Sequence, residues 1–151
     1  MDYTIRKCTE SDLHKLVDLC QQHAAFEKAN YNPEGKHEKL KKAIFSKKPM
    51  LNCLVAEVNH KVVGYATYTI DFSTWDAQKF IYLDCLYLEQ EYRNFGIGRV
   101  LMDQVKNAGE KNGCTNMQWQ TPDFNIKAIK FYKKNGGTGR EKLRFTLPIE
   151  N

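Results

Sequence analysis

Apolar residues recur along this chain with two different periods, and the switches between them mark out its elements. Tyr3-Thr4-Ile5-Arg6 is a short extended run. Thr9-Glu10-Ser11-Asp12 supplies a helix N-cap with acidic residues in the first turn. Leu13, Leu16, Val17 and Cys20 follow at helical spacing and predict an amphipathic helix. The pattern breaks over residues 30–35, where Pro33 predicts the start of a second helix, with Leu40, Ile44 and Phe45 on its apolar side and Pro49 at its end. Residues 51–58 and 62–70 are apolar, β-branched runs joined by Asn59-His60-Lys61, short enough for an antiparallel hairpin. Residues 71–79 read as a loop and 80–88 as a buried strand rich in aromatic and branched side chains. Leu101, Val105 and Ala108 then repeat at helical spacing up to a C-cap at Gly113, and 115–120 is extended again. After Pro122, residues 125–134 carry Ile126, Ala128, Ile129 and Phe131 for packing in a helix closed by Asn135-Gly136-Gly137, and a last strand is predicted over 143–149. The order is β-α-α-β-β-β-α-β-α-β. That is an α/β chain with a mixed sheet: a meander of early strands, then a right-handed strand-helix-strand crossover over 80–120.

The stretch Arg93-Asn94-Phe95-Gly96-Ile97-Gly98-Arg99 falls at the turn from the 80–88 strand into the next helix. Glycines there can take backbone conformations barred to other residues and let N–H groups approach an anion. Those groups are also the unpaired donors of a helix N-terminus, where the dipole favours phosphate. Arg93 and Arg99 add formal charge. A Walker A loop would end in Gly-Lys-Ser/Thr, whereas this turn ends Gly98-Arg99-Val100. A dinucleotide fingerprint needs a third glycine where Leu101 stands, and an acidic residue after a second strand. A plain glycine turn is the alternative, and the neighbouring motifs decide between them.

At 151 residues the chain fits one domain with a real core. It has no linker, repeat or low-complexity segment, no apolar leader and no apolar run of membrane-spanning length, so a soluble, cytoplasmic protein without a membrane partner is expected. Five cysteines without a Cys-x-x-Cys pair read as reduced thiols, and four histidines without ligand spacing predict no metal. The net charge of +5 favours an anionic partner. The basic cluster over 36–48 reads as a solvated helix face, and no motif points to nucleic acid.

Arg-x-x-Gly-x-Gly at 93–98 resembles motif A of the GNAT superfamily of acyl-CoA-dependent N-acetyltransferases, and Asn125 to Gly136 looks like its motif B, Asn-x-x-Ala-x-x-Phe-Tyr-x-x-x-Gly. The alternative for Phe131-Tyr132 is an ordinary helical aromatic pair. Cys53-Leu54-Val55-Ala56-Glu57, Tyr82-Leu83-Asp84, Tyr92 to Gly98 and Phe131-Tyr132-Lys133-Lys134 look most like the spermidine/spermine and thialysine N-acetyltransferase branch. The resemblance spans essentially the whole chain and implies the GNAT fold, a mixed, mostly antiparallel central sheet flanked by helices. It further implies acetyl-CoA as co-substrate, a small-molecule amine as acceptor and a homodimer. Transfer to a protein lysine or N-terminus, and a non-catalytic acyl-CoA-binding module, stay open as alternatives.

By the same resemblance Asp84 is the base that takes the amine's proton and Tyr132 the acid that meets the departing thiolate. Backbone groups of Leu86 and Leu88 face the pantetheine arm, and a bulge in that strand would free such groups. Arg93, Asn94, Phe95, Gly96, Ile97, Gly98 and Arg99 hold the pyrophosphate, with Asn125 near the pantetheine and Lys134 near a phosphate. The branch has adjacent acidic residues where this chain reads Asp84-Cys85, so a cationic acceptor meets less negative charge. Glu27, Asp71, Asp76 and Asp123 are candidates to compensate, and Glu27, Trp75 and Asp84 are the expected acceptor contacts. Asp84 could instead be solvated or structurally paired. Cys85 beside a thioester suggests an acyl-enzyme, but a mid-strand cysteine with no nearby histidine more often packs as a small apolar residue.

Overall fold

A computed structural model describes residues 1–150, which fall into two compact units, 1–120 and the described residues from 121 on. The first holds a five-stranded sheet in the order β1-β2-β3-β4-β5, formed by β1 Thr4–Lys7, β2 Asn52–Val58, β3 Lys61–Ser73, β4 Gln78–Leu88 and β5 Met117–Gln118. β1 to β4 are antiparallel and β5 runs parallel to β4. The parallel step is made possible by helix α3, Ile97–Lys111, which carries the chain back between them.

Helices α1, Leu13–Phe26, and α2, Lys36–Phe45, cover one face. Leu13, Leu16 and Leu19 of α1 are buried with Cys53, Val55, Tyr65 and Tyr87 of the sheet, and Leu40, Ile44 and Phe45 of α2 pack against that cluster. Leu19, rather than the expected Val17, completes the buried stripe. α3 supplies Ile97, Leu101, Met102 and Val105 to the core. It lies so close to the sheet at Gly109 that a Cβ there would come within 2.8 Å of Ile81 Cγ2.

The elements begin and end where the local chemistry dictates. The β2–β3 connection is the two-residue turn Asn59-His60, both with positive φ (48° and 62°), the geometry whose twist matches that of the flanking strands. α2 starts at Lys36 after Gly35 in the left-handed conformation, not at Pro33, whose carbonyl instead accepts a turn hydrogen bond from Lys36 N–H. The expected loop over 71–79 is largely strand, because β3 runs on to Ser73 and β4 begins at Gln78. β5 shrinks to two residues.

The second unit contains helix α4, Ile126–Lys134, capped by the Asn125 side chain accepting from Ala128 N–H at 3.4 Å and closed by Gly136 at φ 95°. The predicted strand over 143–149 is absent. Its period-two side chains Leu143, Phe145, Leu147 and Ile149 are all exposed, and the five-stranded sheet does not include it. Alternation alone cannot make a strand without an edge to pair with.

A charged clasp ties β1 to its surroundings. The Arg6 guanidinium donates to Asp12 at 2.7 and 3.0 Å and to Glu57 at 2.7 and 3.0 Å, while Thr9 N–H donates to Asp12 Oδ2 at 2.8 Å. Arg6 holds the Asp12 carboxyl below its usual value of 3.8. A depressed carboxyl contributes stability that is present above the ordinary value and lost as pH falls through the folded-state one. Arg6→Ala is expected to lower the unfolding free energy at pH 7 by about 1.5–3 kcal/mol. In urea titrations its difference from wild type should narrow below pH 4, and an unchanged midpoint at pH 7 would refute the clasp.

Candidate active site

The site is organised by one irregularity in β4. Its residues pair with β3 as Thr69↔Tyr82 and Tyr68↔Leu83, then Thr67↔Cys85, so Asp84 is a bulge residue with no partner opposite. In a regular strand residues 81, 83, 85 and 87 would share a face. Here Ile81 packs toward Gly109 of α3, whereas Cys85 and Tyr87 belong to the cluster under α1. The bulge reverses the strand and leaves the Asp84 carboxylate exposed, with Oδ2 3.8 Å from Cys85 Sγ. The Thr67 hydroxyl, opposite Cys85, is buried without a hydrogen-bond partner.

A bulge in this strand was named only as a way to free backbone groups of Leu86 and Leu88, and the irregularity lies just before them. Those two residues pair with Ala66 and Gly64 on the β3 side. On the other side β5 pairs only with Ile81 and Tyr82, so among the described residues no strand covers the outer edge of β4 from Leu83 to Leu88. Leu88 C=O accepts from Arg93 Nε at 2.8 Å.

Beyond β4, a single turn over Gln90–Tyr92 leads into the glycine segment. Asn94 (φ 68°) and Gly96 (φ 83°) are both left-handed, and Gly96 is the N-cap of α3. A Cβ on Gly96 would meet nothing within 4 Å, so glycine is required by the backbone conformation and leaves open space in front of the turn. The amides of Ile97, Gly98 and Arg99 lie in the first turn of α3, where an α-helix has no internal acceptor for them. This is the arrangement that receives a phosphate. Phe95 is half exposed beside it, and Arg99 is exposed, 3.9 Å from Asp103. The Arg93 side chain turns back toward the sheet. Besides its bond to Leu88, its guanidinium lies 4.8 Å from the Phe26 ring centroid and 5.3 Å from that of Tyr87, between β4 and the end of α1.

The acceptor candidates are dispersed. Glu27 is the C-cap of α1. Trp75 is wholly exposed at the tip of the β3–β4 hairpin, seven residues beyond Tyr68, roughly 20 Å along the strand direction. Asp71 accepts from Thr69 Oγ1 at 3.0 Å on that hairpin. In the second unit Asn125 spends its side-chain oxygen on the α4 cap. Tyr132 is half-buried edge-on to Phe131 at 5.5 Å, and Lys134 is exposed in the last turn. A depression of about 470 Å³, lined by Lys15, Lys61, Glu89, Glu91 and Tyr92 among others, contains none of the predicted site residues.

Sequence reasoning missed His23. Its Nδ1 lies 2.9 Å from Tyr65 Oη, its Nε2 contacts Glu27 Oε2, and its ring stacks on Tyr87 at 5.2 Å. Burial lowers its pKa, the opposing pull of Glu27 and Asp84 notwithstanding. Burial, reinforced by Asp84, also pushes the Cys85 thiol up to about 12, which keeps it protonated and a poor nucleophile near neutral pH. Only the His23/Glu27 spacing of four, on a helix, signalled any of this in advance.

A family model described as Acetyltransferase (GNAT) family matches residues 13–137. The chain belongs to the GNAT family. Within it, thialysine N-epsilon-acetyltransferase of Mus musculus is 31% identical over 137 residues, 85% of this chain and 80% of the relative. Spermidine/spermine N(1)-acetyltransferase-like protein 1 of Homo sapiens is 28% identical over 144 residues, 90% of this chain but 21% of that longer protein. An aminoglycoside N-acetyltransferase solved in complex with CoA superimposes with a TM-score of 0.81 over 97% of this chain and 95% of its own, at 18% identity, and so attests the fold. This GNAT chain is therefore an acetyltransferase. Among the described residues no helix is long and apolar enough to cross a membrane. Among the described residues no three His, Cys, Asp or Glu side chains gather as a metal would require.

Gly96→Ala isolates the turn. It adds strain of about 1–2 kcal/mol at a left-handed position and a methyl group in the open space before the amides. The Kd for CoA, measured by calorimetry, should rise about tenfold or more while the unfolding midpoint falls only modestly. Unchanged CoA affinity would show that the turn holds no phosphate.

Proposed function

We propose that this protein transfers the acetyl group of acetyl-CoA to a primary amine of a small molecule, a polyamine, diamine or amino-acid-like amine, by direct attack of the amine on the thioester. The observation that carries this reading is the single strand β4. It exposes a carboxylate at its bulge, leaves its outer edge unpaired from Leu83 to Leu88, and runs within a few residues into a turn suited to phosphate. A thioester laid along that edge, with its phosphates at the turn, brings its carbonyl toward Asp84. The relatives' names, thialysine N-epsilon-acetyltransferase and spermidine/spermine N(1)-acetyltransferase-like protein 1, favour a small amine as acceptor.

Acetyl-CoA supplies an activated acyl group, and the chain's task is proton management. An alkyl amine with a pKa near 10.4 is almost wholly protonated at pH 7 and cannot attack until the proton leaves. Asp84, exposed and with no salt-bridge partner among the described residues, is placed to accept it directly or through water. Cys85 stays a thiol and packs, consistent with its place in the core cluster. The Tyr132 phenol donates to the departing sulfur, and the Ile97–Arg99 amides take the pyrophosphate, with Asn125 and Lys134 as further contacts on α4.

Tyr132→Phe should lower kcat by on the order of 10²-fold with little change in amine KM, and unchanged turnover would remove the phenol from the acid role. Asp84→Asn should depress kcat/KM by about 10²-fold or more, most at low pH, where the acceptor is most protonated. An unaltered pH–rate profile would exclude it as base. The reading as a whole is tested by CoA-thiol release from acetyl-CoA with putrescine, spermidine, thialysine, lysine, an aminoglycoside and a lysine peptide. Turnover with a small amine supports it; turnover with the peptide alone, or tight binding without turnover, overturns it.

A further inference from the structure

A continuous line of polar contacts runs from the bulge to the end of the first helix. Asp84 Oδ2 lies 3.8 Å from Cys85 Sγ. The Cys85 and Cys20 thiols lie in reach of the Tyr65 hydroxyl. Tyr65 Oη is 2.9 Å from His23 Nδ1, and His23 Nε2 contacts Glu27. Tyr65 is fully buried, and burial holds its phenol firmly protonated. It is therefore an obligate donor, and the imidazole nitrogen is a far better acceptor than either thiol. His23 Nδ1 accepts from Tyr65, so the ring's single proton sits on Nε2 and is donated to the Glu27 carboxylate. Stacking on Tyr87, whose hydroxyl is 3.4 Å from Gln22 Oε1, fixes the ring plane.

Glu27 stands at a helix C-terminus, where the dipole disfavours a negative charge, so something must hold it there. Tyr65 and Tyr87 form one rung of the sheet, and Asp84 lies three residues along β4 from Tyr87, roughly 10 Å away. Glu27 contacts the His23 ring and the Asp84 charge also acts on it, so the imidazole lies under the influence of two carboxylates, a pairing suited to the two cationic centres of one short chain. Cys85 leaves β4 with a single carboxylate of its own there.

We propose that His23 is a positioning residue for the acceptor: it fixes Glu27 so that this carboxylate receives a second cationic group of the amine whose reactive nitrogen lies at Asp84. This rests on the small-amine reading above. The groups facing His23 are Glu27 on its own helix, Tyr65 on β3, Asp84 and Tyr87 on β4, and Arg93 beyond it. Protonating His23 would add a cation beside Glu27 and weaken its hold on the acceptor, so KM for a dication should climb as pH falls below the ordinary histidine value of 6.5.

The test compares 1,4-diaminobutane with n-butylamine, equal in length and differing by one charge. His23→Leu should raise KM for the diamine about tenfold, leaving KM for butylamine and acetyl-CoA, and kcat, within twofold. Glu27→Gln should raise KM for the diamine by a similar factor, and the double variant should bind the diamine no worse than either single one. His23→Gln, whose amide keeps an N–H toward Glu27, should restore most of the affinity but not the acid-side rise in KM. Imidazole NMR of the full-length protein gives a readout without turnover: adding diaminobutane should shift the His23 signals in wild type and not in Glu27→Gln. Equal effects of His23→Leu on both amines, additive losses in the double variant, or His23 signals blind to the diamine would each overturn the proposal. A His23 response to diamine in a protein that acetylates no amine would sink the small-amine enzyme reading and leave the positioning role standing. Acetylation of amines with a silent His23 would do the reverse.

Discussion

One extra residue in one strand governs this molecule. Because side chains alternate across a strand, β4 could not bury Ile81 under α3 and also Tyr87 under α1 unless its parity changed between them. The bulge at Asp84 makes that change. It lets a single strand serve two cores, one on each face, and it turns outward a carboxylate that a regular strand would have assigned to a face. A residue needed to reconcile two hydrophobic layers is thereby the residue available for chemistry, and structural and chemical constraints meet in the same peptide.

Much of this was legible in the chain. The helical stripe of Leu13 and Leu16, the Asn59-His60 hairpin turn and the strand-glycine-helix passage from 80 to 111 rest on local signals, namely periodicity, turn chemistry and capping, and these need no tertiary information. The bulge in β4 entered the sequence reading only as a condition, without a residue, since register depends on what lies opposite. Arg93 shows the same limit. Its side chain goes to Leu88 and the aromatic pair Phe26 and Tyr87, partners that meet only in three dimensions. The missing strand over 143–149 is the opposite error, a local pattern without a place in the sheet.

His23 illustrates why acceptor sites are harder to read than donor sites. The turn before α3 uses backbone groups, whose chemistry is the same in any chain, so its spelling advertises it. The opposite wall uses side chains from α1, β3 and β4, brought together from positions 23, 27, 65 and 84. Nothing in the sequence near any one of them names the others.

The order of strands in the sheet has a further consequence, for the sequence of events in folding. β2, β3 and β4 follow one another through short hairpin turns, so their closure costs little entropy. β1 reaches β2 only after the chain has travelled through α1 and α2, a much longer loop, and the Arg6 clasp closes it. Contact order thus favours the meander first and the first helix later. On that timetable the bulge and its carboxylate are in place before the wall carrying His23 and Glu27 docks against them. On the proposed reading, acceptor recognition is then the last function the fold acquires, and the first it gives up when the clasp is loosened.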